Sequence, residues 1–324
     1  MSSLATWAQE TFGLGDGPVG LAVAARGADG LVSLLTVGGT RYALKQPFRA
    51  VDEDDVRREA AHLEHFAGAG IEVPTHVCDR TGRFVVALPD ALGGGQVRVA
   101  RWVEGRAVGT DTAGLSVRVG ALLGSLHAAA PLTDETPGRW YTAMPGAEVW
   151  QDLRGRSEGR PWAGSLAGRL PDLLEHAARV AEAGDPPGPL VVGHRDLHPD
   201  NVLVASDGSL RAIDWEDCGP TDVHRELAKV LVQWHVEGDR VDEAGVGQTV
   251  EAYRAAGGTG RVTTLDDFTM VLCSETNFLA TQLRLALDPA LAQEHHEPVL
   301  AEIEQGLAAY VPTPAALTRV LAAA

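Results

Sequence analysis

Residues 194–201 read His-Arg-Asp-Leu-His-Pro-Asp-Asn, and thirteen positions beyond that asparagine a short, mostly apolar run ends at Asp214. The apolar runs 189–192, 201–204 and 210–213, with Ser206-Asp207-Gly208-Ser209 between the last two, predict a loop followed by a β-hairpin. Such a hairpin puts Asn201 and Asp214 at neighbouring strand ends and leaves Asp196 on the loop before them. A polar stretch that merely formed Asx turns would need none of these offsets.

Two hard oxygen donors side by side, with one further carboxylate left free, suit transfer of a phosphoryl group from ATP. Mg²⁺ takes oxygen ligands, and the attacking hydroxyl needs a carboxylate to meet it. Asn201 and Asp214 are the candidate metal ligands, and Asp196 is the candidate base, with His194 and His198 in the same catalytic loop.

That chemistry also asks for an ammonium on a strand. Apolar runs at 21–25, 31–37 and 40–45, separated by glycine turns, suggest three antiparallel strands. Lys45 ends the third, in Tyr-Ala-Leu-Lys, and is the only lysine before Lys229 in a chain that otherwise uses arginine. A helix then opens at 52–56 with acidic residues in its first turn. Glu59 on it is the first choice to hold Lys45, with Glu64 second; either also reads as a solvated helix carboxylate. Gly27 and Gly30 bound the turn between the first two strands, where a phosphate-covering turn would lie. Taken alone that turn is an ordinary hairpin.

Together these residues resemble the aminoglycoside phosphotransferase and choline kinase-like superfamily, the small-molecule branch of the protein-kinase-like fold. His194, Arg195, Asp196, Leu197 and Asn201 meet the template H-R-D-L-x-x-x-N, and Lys45 stands in a context close to Val-Ala-Ile-Lys. His198-Pro199 is the most specific landmark, because the small-molecule branch carries His-x-Asp-Leu-His-Pro-x-Asn there. Asp214-Trp215-Glu216 replaces Asp-Phe-Gly, and the landmarks run from about Gly20 to Ala228.

The resemblance implies an α+β, bilobal kinase-like fold. Residues 1–100 would form a small antiparallel-sheet lobe for nucleotide, and residues 101–324 a mainly helical catalytic and substrate-binding lobe. It implies ATP and Mg²⁺ as cofactors, and backbone groups near Trp102 and Val103 for adenine; those two residues read equally well as part of an edge strand. The short link from Gly219-Pro220 to Glu226 leaves no room for an activation segment, which disfavours a protein substrate. Arg195 and Asp200 depart from the glycine or serine, and the glycine, common at those two places.

Composition agrees. A chain of 324 residues, 45% of them hydrophobic, suffices for two cores. Residues 1–100 hold 9 basic against 12 acidic side chains and the remainder 18 against 32, so the net charge is −3 in the first part and −14 in the second. That distribution argues against nucleic acid and anionic membranes, and it is compatible with a cationic acceptor or with a generic acidic surface. The three cysteines are scattered, no apolar run is long enough to span a bilayer, and no leader pattern opens the chain. A cytoplasmic protein with no indicated protein partner is expected.

The rest reads as helices at 112–130, 166–183, 266–287 and 298–310, with a Gly-, Pro- and Trp-rich excursion at 132–163. Glu275 and Asn277, polar within an apolar helix, join Glu216 as candidate acceptor contacts. The expected reaction moves the γ-phosphoryl group of ATP to a hydroxyl of a small molecule, an aminoglycoside or related antibiotic first. A metabolic kinase for choline, homoserine, a sugar or an amino sugar is the alternative, and a nucleotide-binding pseudokinase module is the alternative of another class.

Overall fold

A computed structural model describes residues 3–26, 30–109, 113–186, 188–290 and 296–324. The chain divides into two compact units, Met1–Val108 with Asp200–Cys218, and Gly109–Pro199 with Gly219–Ala324. The hairpin segment after the catalytic loop thus belongs with the first unit, although a linear division would place it in the second.

The first unit is built on an antiparallel sheet. Strands Val19–Arg26, Gly30–Val37 and Thr40–Pro47 pair in sequence, Gln96–Arg101 pairs with the third, and His76–Val77 and Val86–Ala87 pair with Gln96–Arg101. The period-two alternation of a strand sorts the third one: Tyr42 and Leu44 are buried with Leu35, Val97 and Val99, whereas Lys45 projects from the other face. Arg98 lies directly across from Lys45 in the ladder, so the two cations share that face.

Helix Glu53–Gly68 is capped by Asp52, whose carboxylate accepts the N–H groups of Asp54 and Asp55. Its inward stripe is Val56, Glu59, Ala60, Leu63 and Phe66, so Glu59 occupies an apolar position and must find partners there. Strands Val202–Val204 and Leu210–Ala212 form the expected hairpin, and Arg106–Ala107 pairs with the first of them. Trp215 then packs its ring 5.0 Å from that of Phe66.

The second unit is mainly helical. Helices Leu115–Ala129 and Glu243–Ala255 meet along a glycine seam: a Cβ on Gly120 or Gly124 would stand 2.2 or 2.4 Å from the carbonyl oxygens of Thr249 and Tyr253. A short sheet of Leu132–Thr133, Leu190–Gly193 and Gly219–Thr221 frames the catalytic loop, with Gly193 opposite Gly219. Trp150, Trp162, Leu166, Leu173, Leu279, Leu283 and Ile303 pack in one apolar cluster.

Several expectations need amendment. The excursion 132–163 is not mere loop: it contains helices Arg139–Thr142 and Ala147–Arg156, and its Trp150 and Trp162 are core residues. The helix expected from 112 begins at Leu115, and positions 110–112 lie outside the described residues. Helices Leu4–Phe12, Glu243–Ala255 and Pro314–Ala323 were not anticipated. Among the described residues no helix is long and apolar enough to cross a membrane.

Candidate active site

In the first unit an alternating chain of charges runs across one face of the sheet. The Lys45 ammonium donates to Asp214 Oδ1 at 3.0 Å and, in a closer contact, to Glu216. Arg98 reaches Glu216 with one guanidinium nitrogen and Glu59 Oε2 with another, at 2.9 Å for the latter, and His76 Nε2 lies 2.9 Å from Glu59 Oε1. Burial alone would raise the Glu59 carboxyl, but the His76 bond and charge, then Arg98, and more weakly Lys45, hold it below the usual carboxylate range.

The expected Lys45–Glu59 pair is therefore replaced. Arg98, set opposite Lys45 by the strand register, takes the helix glutamate, and Lys45 turns to the carboxylates of Asp214-Trp215-Glu216.

Asn201 closes a short 3-10 turn, Pro199–Asn201, and its carbonyl accepts the N–H of Ile213 at 2.9 Å. That bond extends the hairpin ladder by one step and brings Asn201 beside the backbone leading to Asp214. Asp214 itself has φ +60°. Asn201 and Asp214 offer one amide oxygen and one carboxylate, donors of the kind that Mg²⁺ would take alongside nucleotide phosphates and water.

In the second unit Asp196 follows Arg195, whose φ is +66°. Among the described residues Arg195 and Asp214 are the two non-glycine positions with positive φ. A left-handed arginine costs about 1–2 kcal/mol and persists only where its surroundings impose it. Here they do. The Arg195 N–H donates to Glu226 Oε1 at 2.6 Å, and its guanidinium lies 4.3 Å from the centre of the Tyr141 ring.

Glu226 is buried on helix Val223–His235, where its other oxygen meets His127 Nε2 at 3.1 Å. His127 Nδ1 is 2.8 Å from the Tyr253 hydroxyl, which accepts the N–H of Gly260. Gly193 leaves room for this arrangement, since a Cβ there would lie 1.9 Å from the Glu226 carboxylate. Burial would raise the Glu226 carboxyl, but His127 and the Arg195 N–H outweigh it and keep it ionised.

Both Asp196 oxygens are engaged: Oδ2 lies 3.3 Å from His198 Nε2, and Oδ1 lies 3.4 Å from the Lys229 ammonium. Burial pushes this carboxyl up, while the His198 hydrogen bond, Lys229 and His194 push it down further, to well below the usual carboxylate range. Its side chain keeps 27% exposure, so an ionised oxygen remains reachable. The Asp196 N–H donates to Nδ1 of the buried His194 at 3.3 Å, and Trp234 Nε1 holds the Leu197 carbonyl at 2.7 Å.

The profile described as the phosphotransferase enzyme family matches residues 20–266 of this sequence. The chain belongs to that family. It is similar to thiamine kinase from Salmonella typhimurium, 38% identical over 90 residues; that match spans 28% of this chain and 30% of the relative's own length. In fold it is similar to a spectinomycin phosphotransferase solved with ADP and spectinomycin, with a TM-score of 0.67, 12% identity and 99% and 97% of the two chains covered. An amicoumacin kinase solved with AMP-PNP, Ca²⁺ and its ligand matches with a TM-score of 0.59, 18% identity and 93% and 91% coverage. The mixed α+β, kinase-like architecture is thus shared with these two solved structures.

Against that family frame, the expected site residues separate into groups. Lys45, Asn201, Asp214 and Glu216 belong to the first unit, and Lys45 touches both Asp214 and Glu216; His194, Asp196 and His198 are gathered in the second. Glu216, expected at the acceptor, is instead an ion partner of Lys45 and Arg98. The Asn277 amide is spent on the carbonyls of Trp140 and Ala143, at 3.1 and 2.8 Å, where it pins helix Arg139–Thr142. Glu275 is near Asp196 through Lys229 and accepts from Gln233 at 3.0 Å.

Gly27 lies outside the described residues, and Gly30 is buried against the Gln46 and Pro47 backbone. The Trp102 N–H is taken by the Arg41 carbonyl at 3.2 Å, which removes one donor offered for adenine, and the Val103 side chain is buried. Sequence reasoning passed over Arg98, Glu226 and Lys229. For Lys229 a signal existed, since the chain has two lysines in all.

Proposed function

We propose that this chain transfers the γ-phosphoryl group of ATP to a hydroxyl of a small organic molecule. The observation that carries the reading is the ionised Asp196 carboxylate, braced on both oxygens yet still partly exposed, five residues before Asn201. Asp196 orients the acceptor hydroxyl and takes its proton, and the Glu226 bond to Arg195 fixes the backbone that presents it. Lys45 exchanges its carboxylate partners for nucleotide phosphates. Asn201 and Asp214 would hold Mg²⁺, which supplies neutralisation of phosphate charge when bound. ATP as donor makes the cytoplasm the place of action.

The acceptor is of the amino- or sugar-bearing kind represented by aminoglycosides and related antibiotics, a reading supported by the fold shared with the spectinomycin and amicoumacin enzymes. The thiamine kinase similarity favours a second reading, a metabolic alcohol. Release of ADP across a panel of antibiotics, amino sugars, thiamine and amino alcohols separates the two. Asp196→Ala should abolish transfer, by about 10²–10⁴-fold, while a fluorescent nucleotide still binds. Loss of nucleotide binding in the folded variant would falsify the role given to Asp196.

A further inference from the structure

Lys229 is a buried ammonium that braces one oxygen of Asp196 and reaches further than that role needs. It sits midway along helix Val223–His235 at 3% exposure, where lysine is almost never found without partners. Ser274 Oγ accepts from it at 2.9 Å, Asp196 Oδ1 lies at 3.4 Å, Glu275 Oε1 at 3.9 Å, and the Tyr141 ring centre at 6.0 Å. One cation therefore serves two carboxylates from different elements, the catalytic loop and helix Thr269–Ala286.

Consider the same place without that ammonium. Glu275 is pushed up first by its burial and also by the negative charge of Asp196, so the two carboxylates repel. Left alone they would form an anionic recess with an aromatic face beside it, the chemistry that takes a cation. With Lys229 present, both carboxylates are met by its charge, and His198 meets the second oxygen of Asp196.

We propose that Lys229 determines acceptor charge: its ammonium fills the place beside Asp196 and Glu275 that an acceptor's own cationic group would take. The reacting hydroxyl then arrives on an uncharged, polyol- or sugar-like part of the acceptor, with any amino groups held farther away. The acceptor clause rests on the phosphotransfer reading; the occupancy of the place by a cation does not.

Two measurements test it. In the first, melting of Lys229→Ala is followed in methylammonium chloride and in sodium chloride at equal ionic strength. A saturable rise in melting temperature with methylammonium, absent in the wild type, is expected; equal melting of the variant in the two salts overturns the proposal.

The second uses ADP release with choline and with its neutral isostere, in which a tert-butyl group replaces the trimethylammonium. The wild type should favour the neutral alcohol. Lys229→Met should move the ratio toward choline by at least about tenfold, and Lys229→Arg should leave it near the wild-type value. A wild type that prefers choline, or a ratio unchanged in the folded Met variant, overturns the proposal. If no alcohol in either this pair or the wider panel is turned over, the phosphotransfer reading fails, and the methylammonium melt still decides the occupancy. Should Lys229→Ala not fold, the methylammonium comparison passes to Lys229→Ser, where a saturable rise is again expected and equal melting in the two salts overturns the proposal.

Discussion

Lys45 and Lys229 each face two carboxylates, yet they are held in opposite ways. The partners of Lys45 lie toward solvent, Asp214 at 48% side-chain exposure and Glu216 at 33%. Lys229 is enclosed by Asp196, Glu275, Ser274 and Tyr141, and its side chain is 4% exposed. An open pair costs little to part, because water replaces each partner; an enclosed one leaves a bare charge behind. The first arrangement suits a group that must exchange partners during turnover, and the second suits one that stays in place.

This contrast can be broken by mutation. Lys45→Met should lower kcat/KM for ATP by roughly 10²–10³-fold and leave the melting temperature near that of the wild type. A collapse in stability would mean that the open pair is structural after all, and the comparison fails.

An effect of comparable size, on stability, is expected for Glu226→Ala, which strips His127 and the Arg195 N–H of a buried charged partner. The loss should be about 3–5 kcal/mol in urea unfolding with an unchanged slope. A loss under about 1 kcal/mol would show that the strained Arg195 does not depend on this carboxylate.

The smallest effect is a pH dependence. Burial pushes His235 down to about 4 in the folded chain, against the pull of Asp242, whereas an unfolded histidine titrates near pH ~6.5. The unfolded state therefore binds more protons in that window, so stability is fully present above it and falls as pH drops through it. The loss should be roughly 2–3 kcal/mol between those limits, and His235→Phe should remove it. A second fall follows in the carboxylate range, where Glu59, Asp196 and Glu226, all held low when folded, must take up protons. A flat unfolding free energy between pH ~7 and ~5 would contradict the assignment for His235.

Much of the architecture could be read from linear order, because strands and helices write their periods locally. The three opening strands, the hairpin after the catalytic loop and the capped helix at Asp52 fall where apolar alternation and turn residues put them. The ion partners could not be read in that way. Which anion meets Lys45 depends on Arg98 standing across the ladder from it, a register set by pairing between residues more than fifty positions apart. Helix Glu243–Ala255 was missed although Val246, Val250 and Tyr253 recur at helical spacing on its inward face; Gly120 and Gly124 on its neighbour were a further hint of close backbone contact. Asn277 misled for a different reason: a polar group in an apolar helix needs a partner, and two carbonyls of the same chain provide it.

The scarcity and unequal burial of the two lysines also make the chain its own reporter. Acylating reagents that seek side-chain amines would find one at 19% exposure and one sealed at 4%. Labelling at Lys45, followed by peptide mass, should therefore track nucleotide occupancy with no engineered handle, while Lys229 would take up reagent only when the second unit opens.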